Sequence, residues 1–383
     1  MVNKIKEEFK RIFGGEAAVY TSPGRVNLIG EHTDYNLGFV LPGAIDKAIY
    51  VAIKPNGKSG ANVYSMDYDT QISLPLDGET PDKQWARYIF GVVQEMKKRG
   101  AAVGGFDCVF GGDVPLGAGL SSSAALESAV GFALNDIFSL GFERSELAYI
   151  GQMTEHNYVG VRCGIMDQFA SLFGESGKVI RLDCRSLEHE MIPFSPEKEG
   201  YRVVLIDSMV KHSLASSEYN VRRAQCEAGV EVVAKHVESV ASLRDVTMEM
   251  LDKYKSEMEP IVYRRCAYII NENQRLLDGC RELQNGDYIS FGRKMFGSHD
   301  GLSKEYEVSC EELDFIVDIA RDTEGVLGAR MMGGGFGGCV INLVRETALE
   351  AYLQDVKRKY AERFEVEPRV IEVVISNGAR KIA

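Results

Sequence analysis

The sequence has few of the features that mark secreted, zinc-binding or membrane proteins. Its eight cysteines include no C-x-x-C pair and no Cys/His cluster at zinc spacing. The opening residues, MVNKIKEEFKRIFGG, lack the apolar core of a signal peptide, and no apolar run approaches the length of a membrane span. These absences predict reduced thiols, a cytoplasmic location and no membrane partner.

Positive charge is also in short supply. Lys and Arg total 44 against 56 Asp and Glu, which gives a formal net charge of -12. This balance argues against a protein that binds nucleic acid or an anionic membrane, but it leaves anionic small molecules open. The 383 residues, 45% hydrophobic and 26% charged, are typical of a folded chain with two domains or one large one.

Helical and strand patterns alternate along the chain, with no internal repeat or low-complexity segment. A helix over 1–13 precedes a strand-rich stretch, and the segment PFSPEKEG at 193–200 has the composition of a linker. We therefore predict domains at 1–195 and 196–383. The second half begins with a strand over 201–207 and ends with a Gly-rich loop, a strand, a helix and a strand, which predicts an α+β fold.

The segment 111–138, GGDVPLGAGLSSSAALESAVGFALNDIF, reads as a strand, a loop rich in Gly and Ser, and a helix. Small residues let backbone N–H groups approach an oxyanion, and the positive end of the helix dipole favours negative charge. This layout is typical of an anion cradle. Taken alone, it fits equally well a turn whose serine caps the helix.

The segment 22–46 concentrates polar side chains in one turn beside apolar runs. These side chains belong to Arg25, Glu31, His32, Asp34 and Tyr35. Such a set suits a site that hydrogen-bonds several hydroxyls of a small polyol. A solvated turn with an Asx cap is the alternative.

A third segment, 153–174, contains Glu155 late in a helix and places Asp167 among apolar residues. A carboxylate in such a run is paired, caps a helix or has a function. Other phosphate motifs fail. GKS at 57–59 would complete a P-loop only with glycine at position 52, where Ala52 stands. The glycines at 333–338 are followed by a strand rather than by the helix of a dinucleotide fold.

Three of these segments together resemble a known family. GRVNLIGEHTDYN at 24–36 resembles the galactokinase signature nearly letter for letter. GLSSSAAL and MMGGGFGG are similar to the second and third motifs of the GHMP small-molecule kinases. The motifs occur in the family's order from residue 22 to 338, so the resemblance covers essentially the whole chain.

The resemblance implies an α+β fold of two domains with the active site in the cleft between them. The N-terminal domain would be a mixed β-sheet with helices, similar to a domain of a ribosomal small-subunit protein, and the C-terminal domain would be ferredoxin-like. It also implies roles for individual residues. The sugar would be bound by Glu31, His32, Thr33, Asp34 and Tyr219; the ATP phosphates by Gly117, Ala118, Gly119, Leu120, Ser121, Ser122 and Ser123; and the nucleotide also by Ser65. Magnesium would be held by Ser123 and Glu155, while Asp167 would be catalytic beside Arg25.

The function implied is ATP-dependent phosphorylation of the C1 hydroxyl of α-D-galactose, the first committed step of galactose catabolism by the Leloir pathway. ATP and Mg²⁺ are the expected cofactors, galactose and ATP the partners, and a monomer the expected state. Alternatives are a related kinase for N-acetylgalactosamine or another sugar, and a galactose- and ATP-binding regulator without catalysis. The regulator is expected to have lost catalytic loop residues, whereas Ser121, Glu155 and Asp167 are present.

Oxygen ligands from a serine and a carboxylate suit hard Mg²⁺. Arg25 would keep Asp167 ionised but make it a weaker base, so we expect Asp167 chiefly to align the nucleophile while Arg25 holds charge on the transferred phosphoryl group. The chain departs from the family at Met332, where galactokinases usually have threonine, and at Leu37 and Gly38. Met332 bears on a hydrogen bond near the glycine loop. Leu37 and Gly38 bear on the rim of the sugar pocket and so on the range of sugars that the protein accepts.

Overall fold

The computed structural model describes residues 1–115, 117–210 and 215–383, and the side chains of 215–217 are outside the description. The predicted elements and sites that include Leu116 or Lys211 to Leu214 therefore lie partly outside the described residues.

A six-stranded sheet forms the centre of the first region, in the order β13-β1-β3-β6-β4-β5. Neighbouring strands are antiparallel except β4 and β6, which makes the sheet mixed. The strands are β1 (Ala18–Asn27), β3 (Pro42–Pro55), β4 (Gly60–Ser65), β5 (Thr70–Pro75), β6 (Phe106–Gly112) and β13 (Arg380–Lys381). A smaller sheet consists of β2 (Phe39–Val40), β7 (Lys178–Asp183) and β8 (His189–Pro193).

Helices cover both faces of the six-stranded sheet. On one face, helix α1 (Val2–Phe13) buries Ile5 and Phe9, four residues apart, against Val19 and Val109 of the sheet. The helices of the first region's main core are α2 (Gln84–Lys98), α3 (Ser122–Ile137), α4 (Arg144–Thr154) and α5 (Met166–Phe173). The buried face of α3 is mostly Ala, Ser and Gly, so its backbone lies close to β1 and β3.

The second region is a four-stranded antiparallel sheet in the order β10-β11-β9-β12, the order of a ferredoxin-like fold. Its strands are β9 (Tyr201–Asp207), β10 (Val326–Met331), β11 (Cys339–Arg345) and β12 (Arg369–Val373). Its helices are α6 (Ala215–Ala234), α7 (Met248–Lys253), α8 (Pro260–Gln284), α9 (Tyr288–Asp300), α10 (Glu311–Asp322) and α11 (Glu346–Phe364).

Side chains alternate across the second sheet and join the two regions. Leu205 and Ile341 face the apolar core of the first region, whereas Val204 and Val340 face the helices of the second. Both faces are therefore buried, and one continuous apolar cluster spans the two regions. This packing sets the walls of the cleft between them.

The predicted fold class is confirmed, with differences in single elements. Helices α4 and α9 each continue as a π turn, over Glu155–Val159 and Gly301–Glu305. Strands β5 and β10 and helices α5 and α7 were not predicted. Strand β13 departs from the predicted division at residue 195, because it pairs with β1 of the first region. In the described residues, no helix is long and apolar enough to cross a membrane.

Candidate active site

One cavity of about 290 Å³ lies where the two regions meet. It brings together eight of the residues predicted from the sequence: Arg25, Glu31, His32, Asp34, Ser123, Glu155, Asp167 and Tyr219. The first region supplies all of them except Tyr219, which lies on α6, and the second region adds Gly333 and Gly334. The cavity is therefore incomplete without both halves of the chain.

Arg25 and Asp167 form a bidentate ion pair on the cavity wall. Arg25 lies where the pairing of β1 with β3 shifts register, and Asp167 lies in the first turn of α5. The Arg25 Nε and Nη2 atoms are 2.8 and 2.9 Å from the two carboxylate oxygens. Arg25 is buried, whereas 31% of the Asp167 side chain is exposed to the cavity. The ion pair thus fixes a carboxylate that remains accessible.

The Gly/Ser loop approaches the same ion pair. Gly117 and Gly119 have positive φ angles of 76° and 72°, which glycine adopts freely, and Arg25 Nη1 donates to the Gly119 carbonyl at 2.6 Å. Ser121, the N-cap of α3, donates its hydroxyl to Asp167 and makes no side-chain cap bond in the described chain. The first-turn N–H groups of α3 are consequently left for another acceptor.

Three charged or ionisable side chains from the turn after β1 line the cavity. Glu31 accepts from Arg330 Nη2 and from the Gly333 N–H, each at 2.8 Å, so the second region holds it in place. Burial raises the pKa of Asp34 to about 7, and the nearby Asp167 adds to the shift. Burial lowers the pKa of His32 to about 3, which leaves the imidazole neutral.

Glu155 lies in the π turn that follows α4 and faces Ser123 in the first turn of α3. Burial raises its pKa to about 7, with Ser123 opposing and Asp167 adding to the shift. Glu127 of α3 is also buried. Its Oε2 accepts from Gln168 at 3.0 Å, its Oε1 has no partner within the described residues, and burial and Glu155 raise its pKa.

The structure places some predicted residues outside the cavity lining. The Thr33 hydroxyl donates within its own turn, to the carbonyls of Gly30 and Phe39. Ser65 is buried at the end of β4 beside Phe110, whose ring packs against Trp85. Residues 117–122 lie beside the lining rather than in it. Their predicted contacts with sugar or nucleotide stay predictions.

Sequence reasoning missed several residues of the lining. Gln168, Cys163 and Gly164 lie in the same segment as Asp167, and Gly333 and Gly334 lie in the third motif, so their position could have been inferred. Tyr88 on α2 carried no such signal. Only the packing of α2 against its neighbouring helices brings it to the site.

Family models match three parts of the chain. They are described as the galactokinase galactose-binding signature over residues 7–55, the GHMP kinases N terminal domain over 87–175 and the GHMP kinases C terminal over 280–362.

Curated relatives and solved structures agree with these matches. The chain is 42% identical to a galactokinase of Thermotoga neapolitana, over 94% of this chain and 99% of that protein. It is 38% identical to a galactokinase of Clostridium acetobutylicum, over 100% and 99%.

The structure of Lactococcus lactis galactokinase complexed with galactose superimposes with a TM-score of 0.96 at 34% identity, over 100% of both chains. A mevalonate kinase of Methanococcus jannaschii shares the fold at 18% identity, with a TM-score of 0.67 over 95% of this chain and 99% of that one. The chain therefore belongs to the galactokinase family of the GHMP kinases.

Proposed function

We propose that the protein transfers the γ-phosphoryl group of ATP to the C1 hydroxyl of α-D-galactose, with the cavity residues in the roles set out below. One observation carries the proposal. The turn that matches the galactose-binding signature, the Arg25–Asp167 ion pair and the uncapped start of α3 all meet at one cavity. A sugar kinase needs a sugar-binding site, a carboxylate that positions the hydroxyl and a cradle for the phosphates.

The sugar is neutral and is recognised through its hydroxyls. The rim of the cavity offers acceptors on Glu31 and Asp34 and a hydroxyl donor on Tyr219, with the ring of His32 beside them. Because Glu31 and Asp34 are buried, a sugar that leaves one of them unpaired loses binding free energy, which is the basis for discrimination among sugars.

Asp167 aligns the C1 hydroxyl and accepts its proton as the phosphoryl group moves. Arg25 has five N–H donors, of which three are engaged by Asp167 and Gly119. The remaining donors lie beside the loop of residues 117–123 and are available to the charge of the transferred group. Positioning and charge stabilisation are the main sources of catalysis in this reaction.

The donor set at Ser123 and Glu155 fits Mg²⁺. Both groups present oxygen, the kind of ligand that Mg²⁺ prefers, and burial raises the pKa of Glu155 to about 7. Among the described residues, no cluster of three His, Cys, Asp or Glu side chains is placed to hold a metal ion. When bound, Mg²⁺ neutralises charge on the phosphates; Ser123 and Glu155 would hold it beside the start of α3.

A sugar panel tests the proposal against its rivals. We expect ADP release with galactose to exceed release with N-acetylgalactosamine or glucose by at least tenfold. Faster release with another sugar would transfer the assignment to a related kinase. Binding of galactose and ATP with no ADP release would indicate the regulator.

A matched pair of variants tests the catalytic role. Asp167→Asn keeps the shape of the side chain and is expected to lower kcat by about 10²–10⁴-fold, the range for loss of a positioned acid or base. Asp82→Asn changes an exposed aspartate outside the cavity lining and is expected to match the unsubstituted protein. Normal turnover by Asp167→Asn would refute the assigned role.

A further inference from the structure

His32 lines the cavity, yet both of its ring nitrogens have partners within the protein. Nε2 lies 3.2 Å from the carbonyl oxygen of Gly334, and Nδ1 lies 2.8 Å from the hydroxyl of Tyr35. Two fixed partners restrict how the imidazole can carry its proton.

The chemistry of these partners determines the tautomer. A carbonyl oxygen only accepts, so Nε2 must carry the hydrogen. Burial keeps the ring neutral, and a neutral imidazole has one N–H, so Nδ1 must accept. The Tyr35 hydroxyl is therefore the donor to Nδ1.

The same logic extends away from the cavity. The Tyr35 oxygen lies 2.7 Å from the Tyr306 oxygen, and since Tyr35 donates to His32, Tyr306 donates to Tyr35. The Cys226 sulfur lies 3.2 Å from the Tyr306 oxygen, and the thiol is the remaining donor. Every hydrogen in the chain Cys226, Tyr306, Tyr35, His32 then points toward the cavity.

Both halves of the molecule build this chain. His32 and Tyr35 belong to the turn after β1, whereas Cys226 lies on α6 and Tyr306 directly follows the π turn after α9. The His32 ring packs at 5.0 Å from that of Tyr306 and at 5.2 Å from that of Tyr219. Tyr35, Tyr306 and Cys226 are themselves outside the cavity lining.

The backbone around Tyr306 is also fixed. Arg222 of α6 donates to the carbonyl of Tyr306 at 2.9 Å and to that of Glu307 at 2.7 Å. Tyr219, Arg222 and Cys226 are three or four residues apart, so they share one face of α6. This face therefore holds the hydroxyl chain and one wall of the cavity together.

We propose that Tyr35, Tyr306 and Cys226 are positioning residues that hold His32 as the neutral Nε2–H tautomer, with the ring at a fixed angle to the cavity. The single N–H of His32 then donates to the Gly334 carbonyl, so the imidazole and the backbone of Gly334 form one fixed part of the cavity wall. The inference rests on the proposed function for the identity of the sugar, but the tautomer itself does not depend on it.

Nitrogen-15 NMR of the histidine rings tests the tautomer directly. In the unsubstituted protein we expect His32, assigned by comparison with His32→Gln, to show one neutral Nε2–H form from pH 6 to 8. In Tyr35→Phe, which removes the donor itself, we expect the Nδ1 resonance to move toward that of a ring nitrogen without a donor. An Nδ1–H form, a charged ring in the unsubstituted protein, or an unmoved Nδ1 resonance in the variant would overturn the proposal.

Kinetics test the positioning role. Tyr306→Phe is expected to raise KM for galactose by about threefold to tenfold, corresponding to about 0.6–1.4 kcal/mol, with kcat and KM for ATP within twofold. The control is Tyr352→Phe, because Tyr352 is a buried tyrosine whose hydroxyl donates to Asn342 at 2.7 Å outside the cavity lining. It is expected to lose comparable stability without a change in KM. Equal KM values for galactose in Tyr306→Phe and Tyr352→Phe would show that Tyr306 has only a structural role.

A second variant covers the case in which Tyr306→Phe does not fold. Cys226→Ala removes the outermost donor and is expected to move the Nδ1 resonance of His32 in the same direction but less, while Cys226→Ser is expected to restore it. An unmoved resonance in Cys226→Ala would overturn the part of the proposal that includes Cys226. Should the unsubstituted protein not phosphorylate galactose, the proposed function fails, and the NMR result still decides the tautomer.

Discussion

Arg25 binds both carboxylate oxygens of Asp167 and, through its third nitrogen, the carbonyl of Gly119. One planar guanidinium thus sets the distance between the aspartate and the phosphate loop. Burial alone would lower the pKa of Arg25, but the charges of Asp167 and Glu31 raise it, so the ion pair stays charged.

Replacing Arg25 by lysine keeps the charge but cannot keep three directed hydrogen bonds, because an ammonium lacks the planar fork. We expect Arg25→Lys to lower kcat by about 10²-fold, within the range for loss of a positioned charge-stabilising donor, with a smaller change in KM for galactose. Arg281→Lys, at an exposed arginine on α8, is the control. Steady-state assays that show full kcat in Arg25→Lys would contradict the geometric role.

Asp34 has a predicted effect on stability that depends on pH. Its pKa is raised from 3.8 to about 7 in the folded chain, so the folded form keeps a proton that the unfolded form loses as pH rises. The unfolding free energy contributed by this group therefore falls between about pH 4 and 7 and is level above that range. Asp34→Asn removes the titrating group, and with it this fall in the unfolding free energy. We expect the variant to be more stable than the unsubstituted protein at pH 8, on the order of 2–4 kcal/mol by linkage, and nearly equal at pH 4.5.

Urea unfolding at the two pH values measures the difference, with Asp82→Asn as the exposed control. Glu155 and Glu127 add shifts of the same sign, so the comparison is between variant and unsubstituted protein rather than between absolute slopes. A gap between the two that did not widen with pH would show that Asp34 titrates normally.

Gly164 leaves room for Asp34. A Cβ atom at this position would overlap the Asp34 carboxylate, which now accepts from the Tyr35 N–H at 2.9 Å. We expect Gly164→Ala to displace Asp34 and raise KM for galactose by at least tenfold, with less effect on KM for ATP. Gly131→Ala provides the matched control, because a Cβ there would meet its neighbours at ordinary contact distances inside α3. Similar KM values in the two alanine variants would rule out the steric argument.

Under the proposed function, the concentration of Mg²⁺ that activity needs should depend on pH through Glu155. Its pKa of about 7 means that a proton competes with Mg²⁺ below neutral pH. The Mg²⁺ concentration for half-maximal activity should fall as pH rises from 6 to 8. In Glu155→Gln this Mg²⁺ concentration should be at least tenfold higher at pH 8. Its variation with pH should then be no larger than the variation caused by protonation of ATP. Titrations of Mg²⁺ at three pH values measure both, and identical profiles in the two proteins would remove Glu155 from the metal site.

Regular elements were predictable from the sequence where one apolar pattern sufficed. Strand β9 has the bounds expected from its pattern, because its residues from Val203 onward form one buried run. Strand β10 was missed because Arg330 interrupts its apolar sequence. That arginine is fully buried, and its charge is met by Glu31 and by carbonyls at the end of β1, partners that no local pattern reveals.

The site was predictable to the extent that its motifs are contiguous. The segment 24–36 and the loop of residues 117–123 drew attention on their own residues, and the family resemblance joined them to Asp167. Tyr35 was noted as a polar member of the turn, but its link to Tyr306 and Cys226 depends on how α6 packs against that turn. The position of a buried hydroxyl chain follows from tertiary packing alone.

The position of strand β13 at the end of the chain limits when the sheet of the first region can be completed during synthesis. It pairs with β1, and the Ile382 N–H donates to the Val19 carbonyl, yet the whole second region lies between these two strands in sequence. During synthesis the outer edge of β1 therefore stays unpaired until the second region and β13 have been synthesised. An exposed strand edge is a template for pairing with other chains. Nascent protein stalled before residue 380 therefore leaves this edge of β1 open to pairing with other chains, because Lys381 cannot yet pair with Tyr20.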